Sequence, residues 1–80
     1  MSDSVAEMVA ALARGLVDHP EQVAVREADE RGTRVVELSV ADGDLGQVIG
    51  RGGRSARALR SLVRAAGTVR NERYSLDIVD

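Results

Sequence analysis

Val48-Ile49-Gly50-Arg51-Gly52-Gly53-Arg54-Ser55-Ala56-Arg57-Ala58-Leu59-Arg60 is the stretch on which the fold turns. Three glycines in four residues end one short helix and open a long one. Glycine lacks a Cβ, so it tolerates positive φ and lets a bulky ligand approach the backbone. The amides that open a helix have no intrahelical acceptor, and such a terminus can receive a phosphate. Beyond the glycines, the spacing predicts a helix over 54–66. With Arg54 at zero and roughly 100° per residue, Arg57, Arg60 and Arg64 fall near 300°, 240° and 280°. On the same wheel Leu59, Leu62, Val63 and Ala66 fall near 140°, 80°, 180° and 120°. The two arcs are nearly opposite, so burying one leaves a ridge of Arg outside. Gly67 is placed to stop this helix.

Upstream, Asp44 is positioned to cap a short helix carrying Leu45, Val48 and Ile49, and Asp42-Gly43 breaks the strand before it. That strand is expected over 34–41, with Val36, Leu38 and Val40 on one face and Val35, Glu37 and Ser39 on the other. Val23, Val25 and Glu27 alternate with Ala24 and Arg26 in another strand. A turn at Asp29-Glu30-Arg31-Gly32 is too short for a parallel crossover, so these two strands form an antiparallel hairpin. Ser4-Val5-Ala6-Glu7 has the spacing of a capping box. Val5, Met8, Val9, Leu12 and Leu16 follow at helical spacing, which predicts a helix over 5–17 ended by Asp18-His19-Pro20. Whether Ala10, Ala11, Leu16 and Val17 serve the core or an interface stays open. Downstream, a strand over 72–79 sets Tyr74, Leu76 and Ile78 toward the core. The expected fold class is α+β, in the order α-β-β-α-α-β. Its mixed three-stranded sheet has the helices on one face and a right-handed parallel crossover between the last two strands.

Eighty residues make one domain, 1–80, with a modest core. The absence of Cys removes disulfides, thiolate metal sites and a cysteine nucleophile. Met1-Ser2-Asp3-Ser4 lacks the basic flank and apolar core of a secretion signal, and no apolar run reaches membrane-spanning length; the expected compartment is the cytoplasm. A single Tyr, without Phe or Trp, excludes aromatic base-stacking platforms. The net charge of −2 conceals a split. Between positions 51 and 73 there are seven Arg and one acid, while the rest of the chain holds four Arg and twelve acids. Such a segment sets a local positive field on an acidic body. Arg70 and Arg73 either extend this field or solubilise an edge.

Chemistry beyond binding finds little support. His19 is the only histidine, and beside Pro20 it suits a helix end or the surface. One His without Cys anchors no typical transition-metal site. Glu37, Asp42 and Asp44 lack the ligand spacing of a calcium loop. Ser55 has no base near it in sequence. The glycines lack the preceding strand of a dinucleotide fingerprint, and a Walker loop needs a Lys that this chain does not contain. No catalytic residue, metal, cofactor or small-molecule substrate is expected, so the chain reads as a non-enzymatic binding module.

The quoted stretch, the element order and the length together resemble a type II KH domain, in which an I-G-x-x-G loop joins two helices. The chain is similar to the small bacterial RNA-binding proteins of the KhpA family over essentially all of its length, from Val17-Asp18-His19-Pro20 through Asp44-Leu45-Gly46-Gln47-Val48-Ile49-Gly50 to Leu76-Asp77-Ile78-Val79-Asp80. The resemblance implies that about four nucleotides of single-stranded RNA or DNA are clamped between the glycine loop and an apolar groove, with single-stranded RNA the expected partner. Carried over, the site comprises Leu45, Val48, Ile49, Gly50, Arg51, Gly52, Gly53, Arg54 and Arg57, with Val36 and Leu38 as candidates on the adjacent strand. Arg51 and Gly52 are then the two variable loop positions. Phosphates are expected at Arg51, Arg54 and the N–H groups of Gly52 and Gly53, with Arg60 and Arg64 adding general attraction. The resemblance also implies RNA chaperones that act as homodimers or with a second KH-domain protein, tied to cell shape, cell-wall biogenesis and division. A protein-interaction module that sets its Arg ridge against an acidic partner is the alternative. Duplex DNA binding also stays open, although the short helix-loop-helix lacks a clear recognition helix for the major groove.

Overall fold

The computed structural model describes residues 4–79; Met1–Asp3, which lack the features of a secretion signal, and Asp80 lie outside the described residues. The elements are α1 (Val5–Arg14), β1 (Ala24–Glu30), β2 (Thr33–Ser39), α2 (Leu45–Ile49), α3 (Arg54–Val69) and β3 (Arg73–Val79). Single 3-10 turns precede β1, α2 and α3. The sheet order is β1-β2-β3, with β1 antiparallel and β3 parallel to the central β2.

Each boundary has a local cause. Ser4 Oγ accepts the Glu7 N–H at 3.2 Å and starts α1. The helix ends at Arg14, three residues before the expected 17. There the backbone tightens, with Leu16 N–H turning to Ala13 O at 2.9 Å. Glycine at 15 offers no side chain to stabilise another turn, and Pro20 follows. Leu16 is consequently exposed, Val17 is half-buried, Ala10 is buried and Ala11 faces outward. The hairpin is tighter than the expected four-residue turn. Its loop is Arg31-Gly32 alone, both at positive φ (55° and 87°), as a primed two-residue turn requires. Asp29 Oδ1 steadies it by accepting the Gly32 N–H at 3.0 Å.

The core forms where the alternating face of the sheet meets the helices. Val36 and Leu38 of β2 have no accessible surface, and Leu76 of β3 is buried beside them. Val5, Val9 and Ala13 of α1, Val48 of α2, and Leu59 and Val63 of α3 close over that face.

α3 departs from expectation at its far end. It runs on through Gly67 to Val69, so Gly67 is an interior residue and not the stop. A Cβ there would lie 2.7 Å from Glu72 O and 3.0 Å from Tyr74 Cδ1, so the missing side chain is what lets β3 return this close. The stop is Asn71, at φ 58°. Asn71 N–H bonds to Thr68 O at 3.0 Å and Glu72 N–H to Gly67 O at 2.8 Å, the paired bonds of a Schellman motif.

Candidate nucleic-acid interface

The glycine loop is built from three positive-φ residues, each needed differently. Gly50 (φ 77°, ψ 168°) occupies backbone space that essentially only glycine adopts. A Cβ there would also meet Ser55 Oγ at 2.5 Å and Ser55 N at 2.9 Å. Gly52 (φ 66°) has nothing within 4 Å of its Cβ direction and is exposed. Gly53 (φ 79°) precedes the first residue of α3, and the Arg57 guanidinium lies over it, 3.5 Å from where a Cβ would stand.

The amides are not equivalent. Gly53 N–H bonds to Gly50 O at 3.0 Å, so it closes the loop and is not free for a phosphate as expected. Gly52, in contrast, stands exposed on the open side of the loop.

The cations stand beside this loop. Arg51, Arg54, Arg57 and Arg64 are exposed, and Arg60 is half-buried. Among the described residues none of them makes an ion pair; the carboxylates of Glu27, Glu37 and Glu72 engage Arg26 and Arg34 instead. The buried face of α3 is Ala56, Leu59, Val63 and Gly67. This is rotated from the expected face, because the close approach at Gly67 draws that side onto β3. Two consequences follow. Arg60 moves to the margin of the packed surface, and Leu62, expected in the core, is 46% exposed. Leu62 joins Leu12 and Leu16 in an apolar depression between α1 and α3.

A cleft of about 320 Å³ opens between the loop, α2, α3 and the edge strand β3. Leu45, Ile49, Ala56 and Ile78 give it apolar walls, and Gly53, Arg57 and Arg60 line its rim. The groove expected along Val36 and Leu38 is thus corrected. Those residues lie on the central strand and are sealed in the core, and it is β3 that borders the cleft. Val48 likewise has no accessible surface and supports the cleft from beneath. Ile78 and Arg60 were missed as cleft residues because strand order and helix rotation, both tertiary properties, bring them there.

Asp44 also does something other than cap α2. Its side chain makes no bond to that helix. It is 1% exposed and reaches back to the α1–β1 connection. It accepts His19 N–H at 2.9 Å and Asp18 N–H at 3.3 Å, and His19 Nδ1 stands 3.1 Å from Oδ2. Burial alone would raise its pKa; the His19 and Asp18 amides, the His19 ring hydrogen bond and the His19 charge outweigh that and hold the carboxyl below its ordinary 3.8. The first residues of α2, and through them Ile49 and the glycine loop, are thereby tied to a distant part of the chain. Among the described residues no group of three or more His, Asp or Glu is placed to hold a metal, and no helix is long and apolar enough to cross a membrane.

A loop of this form between two helices, on an α-β-β-α-α-β frame with two parallel strands, defines a type II KH domain. The family model described as KhpA/KhpB, KH domain, matches residues 6–78. The chain belongs to that family. It is 49% identical over 73 residues to an RNA-binding protein KhpA of Halalkalibacterium halodurans, covering 91% of this chain and 96% of that one. It is 46% identical over 80 residues to the RNA-binding protein KhpA of Mycobacterium tuberculosis, covering 100% and 96% of the two chains. With Treponema pallidum RNA-binding protein KhpA the identity is 45%, over 92% of each chain. Among solved structures, a variant of Aquifex aeolicus Era bound to GDP and AlF4− shares the fold, with a TM-score of 0.64 at 19% identity. That likeness covers 92% of this chain and only 29% of the longer one.

Proposed function

We propose that this protein binds single-stranded RNA at the glycine loop and the adjoining cleft, without catalysis. The observation that carries the reading is the juxtaposition of exposed Arg51, Arg54 and Arg57 with an open glycine loop and an apolar cleft of about 320 Å³. Phosphates meet the guanidinium groups and the Gly52 N–H, where the exposed loop admits the backbone of the strand. Bases unstack into the walls of Leu45, Ile49, Ala56 and Ile78, with Arg57 and Arg60 at their edges. Relatives at 45–49% identity bear the name RNA-binding protein, which supports RNA as the ligand. Four nucleotides is the length such a loop spans in KH domains.

Affinity from one unit is low, and pairing raises it through effective concentration. The protein therefore works as a homodimer or with a second KH-domain protein, and the apolar depression of Leu12, Leu16 and Leu62 offers the surface. Its mass in solution is the check. The wider role is that of a cytoplasmic RNA chaperone serving cell shape and cell-wall biogenesis, readable as faster annealing of structured RNA.

The direct experiment is binding of short single-stranded RNA by the protein and by a variant carrying Arg51→Asp and Gly52→Asp. Gly52 has open space around it, so Asp fits and the fold persists. Losing one charge-assisted contact of about 1.5–3 kcal/mol predicts affinity at least about tenfold weaker. Equal affinity in a folded variant overturns the site. A single acidic protein partner that resists nuclease, with no RNA affinity, favours the interaction-module reading.

A further inference from the structure

A second basic pocket lies where α3 ends and β3 begins. It holds about 410 Å³ and is lined by Thr33, Arg64, Thr68, Glu72, Arg73 and Tyr74. Arg64 and Arg73 are exposed, and among the described residues neither makes an ion pair. The one carboxylate, Glu72, stands 3.6 Å from Arg34 Nε, so its charge is partly met from the side of the sheet.

The two pockets sit along one border. The first uses Arg57 and Arg60 of α3 with Ile78 of β3; the second uses Arg64 and Thr68 of α3 with Tyr74 and Arg73 of β3. Arg57 and Arg64 are seven residues apart, on one side of the helix and about 10 Å apart along its axis at 1.5 Å per residue. Arg60 stands between them, and no acidic residue of α3 interrupts the row.

We infer that the strand held at the glycine loop continues along this border, and that Arg64 and Arg73 grip its backbone phosphates in the second pocket. The inference rests on the RNA reading above and extends it, giving a footprint longer than the four nucleotides of the loop and first cleft. The Arg64 and Arg73 guanidinium groups suit phosphate, while the Thr68 hydroxyl donates to Arg64 O at 3.1 Å, and continuity with the first cleft makes the occupant the same strand.

The test compares uridine oligonucleotides of about four and about eight residues at 50 and 200 mM salt, a range over which phosphate contacts show clearly. A longer strand also gains from having more binding registers, but registers do not alter the salt slope. Two added phosphate contacts steepen the slope by about 1.4, so the octamer loses about sevenfold more affinity than the tetramer across that range. Replacing both residues (Arg64→Ala with Arg73→Ala) should bring the octamer slope back to that of the tetramer in the same variant, the tetramer losing only the general attraction of Arg64. Glu72→Gln should tighten the octamer alone. Equal slopes for the two lengths in the wild-type protein, or an octamer slope unmoved by the double replacement, overturn this inference while tetramer binding keeps the loop reading intact. Loss of polyglutamate binding in the double variant, without change in the octamer, assigns the pocket to an acidic protein and also overturns it. No binding of either oligonucleotide removes both readings.

Discussion

Gly50 and Gly52 stand two residues apart in the same loop, yet replacing each by Ala should have unequal effects. At Gly52 the backbone is left-handed, and a Cβ meets nothing within 4 Å. The cost is the left-handed penalty alone, about 1–2 kcal/mol. At Gly50 the conformation (φ 77°, ψ 168°) lies in the region reserved for glycine, at about 1–3 kcal/mol. The added methyl also overlaps Ser55 Oγ, Cβ and N at 2.5–2.9 Å. Ser55 N is helix backbone and cannot swing aside, so overpacking adds about 1–3 kcal/mol more. The sum, about 2–6 kcal/mol, is set against a total stability of about 4–12 kcal/mol for 80 residues. Urea unfolding reads both variants. Gly52→Ala should lower the midpoint modestly with an unchanged slope, and Gly50→Ala should lose about half of the stability or fail to fold. A Gly50→Ala protein as stable as Gly52→Ala would refute the reasoning, because the clash and the strained backbone would then carry no cost.

Gly67→Ala tests the close return of β3: helix propensity alone would stabilise it by about 1 kcal/mol, but contact with Glu72 O at 2.7 Å should win and lower the thermal midpoint. Asp44→Asn should destabilise the protein near neutral pH by weakening the tie to His19 and Asp18. The folded-state pKa of Asp44 lies below 3.8, so the stability this carboxylate contributes is complete above that value and lost as pH falls through the folded pKa. The gap in urea midpoint between wild type and Asp44→Asn should therefore narrow under acid conditions, and a gap constant down to acid unfolding contradicts the assignment.

The Asp44 tie shows where local reading stops. An Asp before a short helix reads as a cap, and its identity as a latch follows only from the arrival of residues 18 and 19, some 25 positions earlier. Asn71 was legible as a helix stop, since it is a residue that tolerates left-handed backbone, but Gly67 four positions before it drew the boundary inward. The rotation of α3 was not legible, because both faces that the wheel allows are apolar enough to be buried. Only contact with β3 chooses between them.

By itself the sequence determined the element order, the helical break at Gly50–Gly53 and the opposition of Arg to apolar residues on α3. These are properties of backbone freedom and periodicity within a few residues of one another. Tertiary structure decided that β3 and not β2 borders the cleft, that Val48 lies beneath it while Ile78 and Arg60 line it, and that Leu62 faces outward. Those outcomes depend on which strand takes the sheet edge and which glycine lets two backbones meet, and both are settled only when distant segments pack.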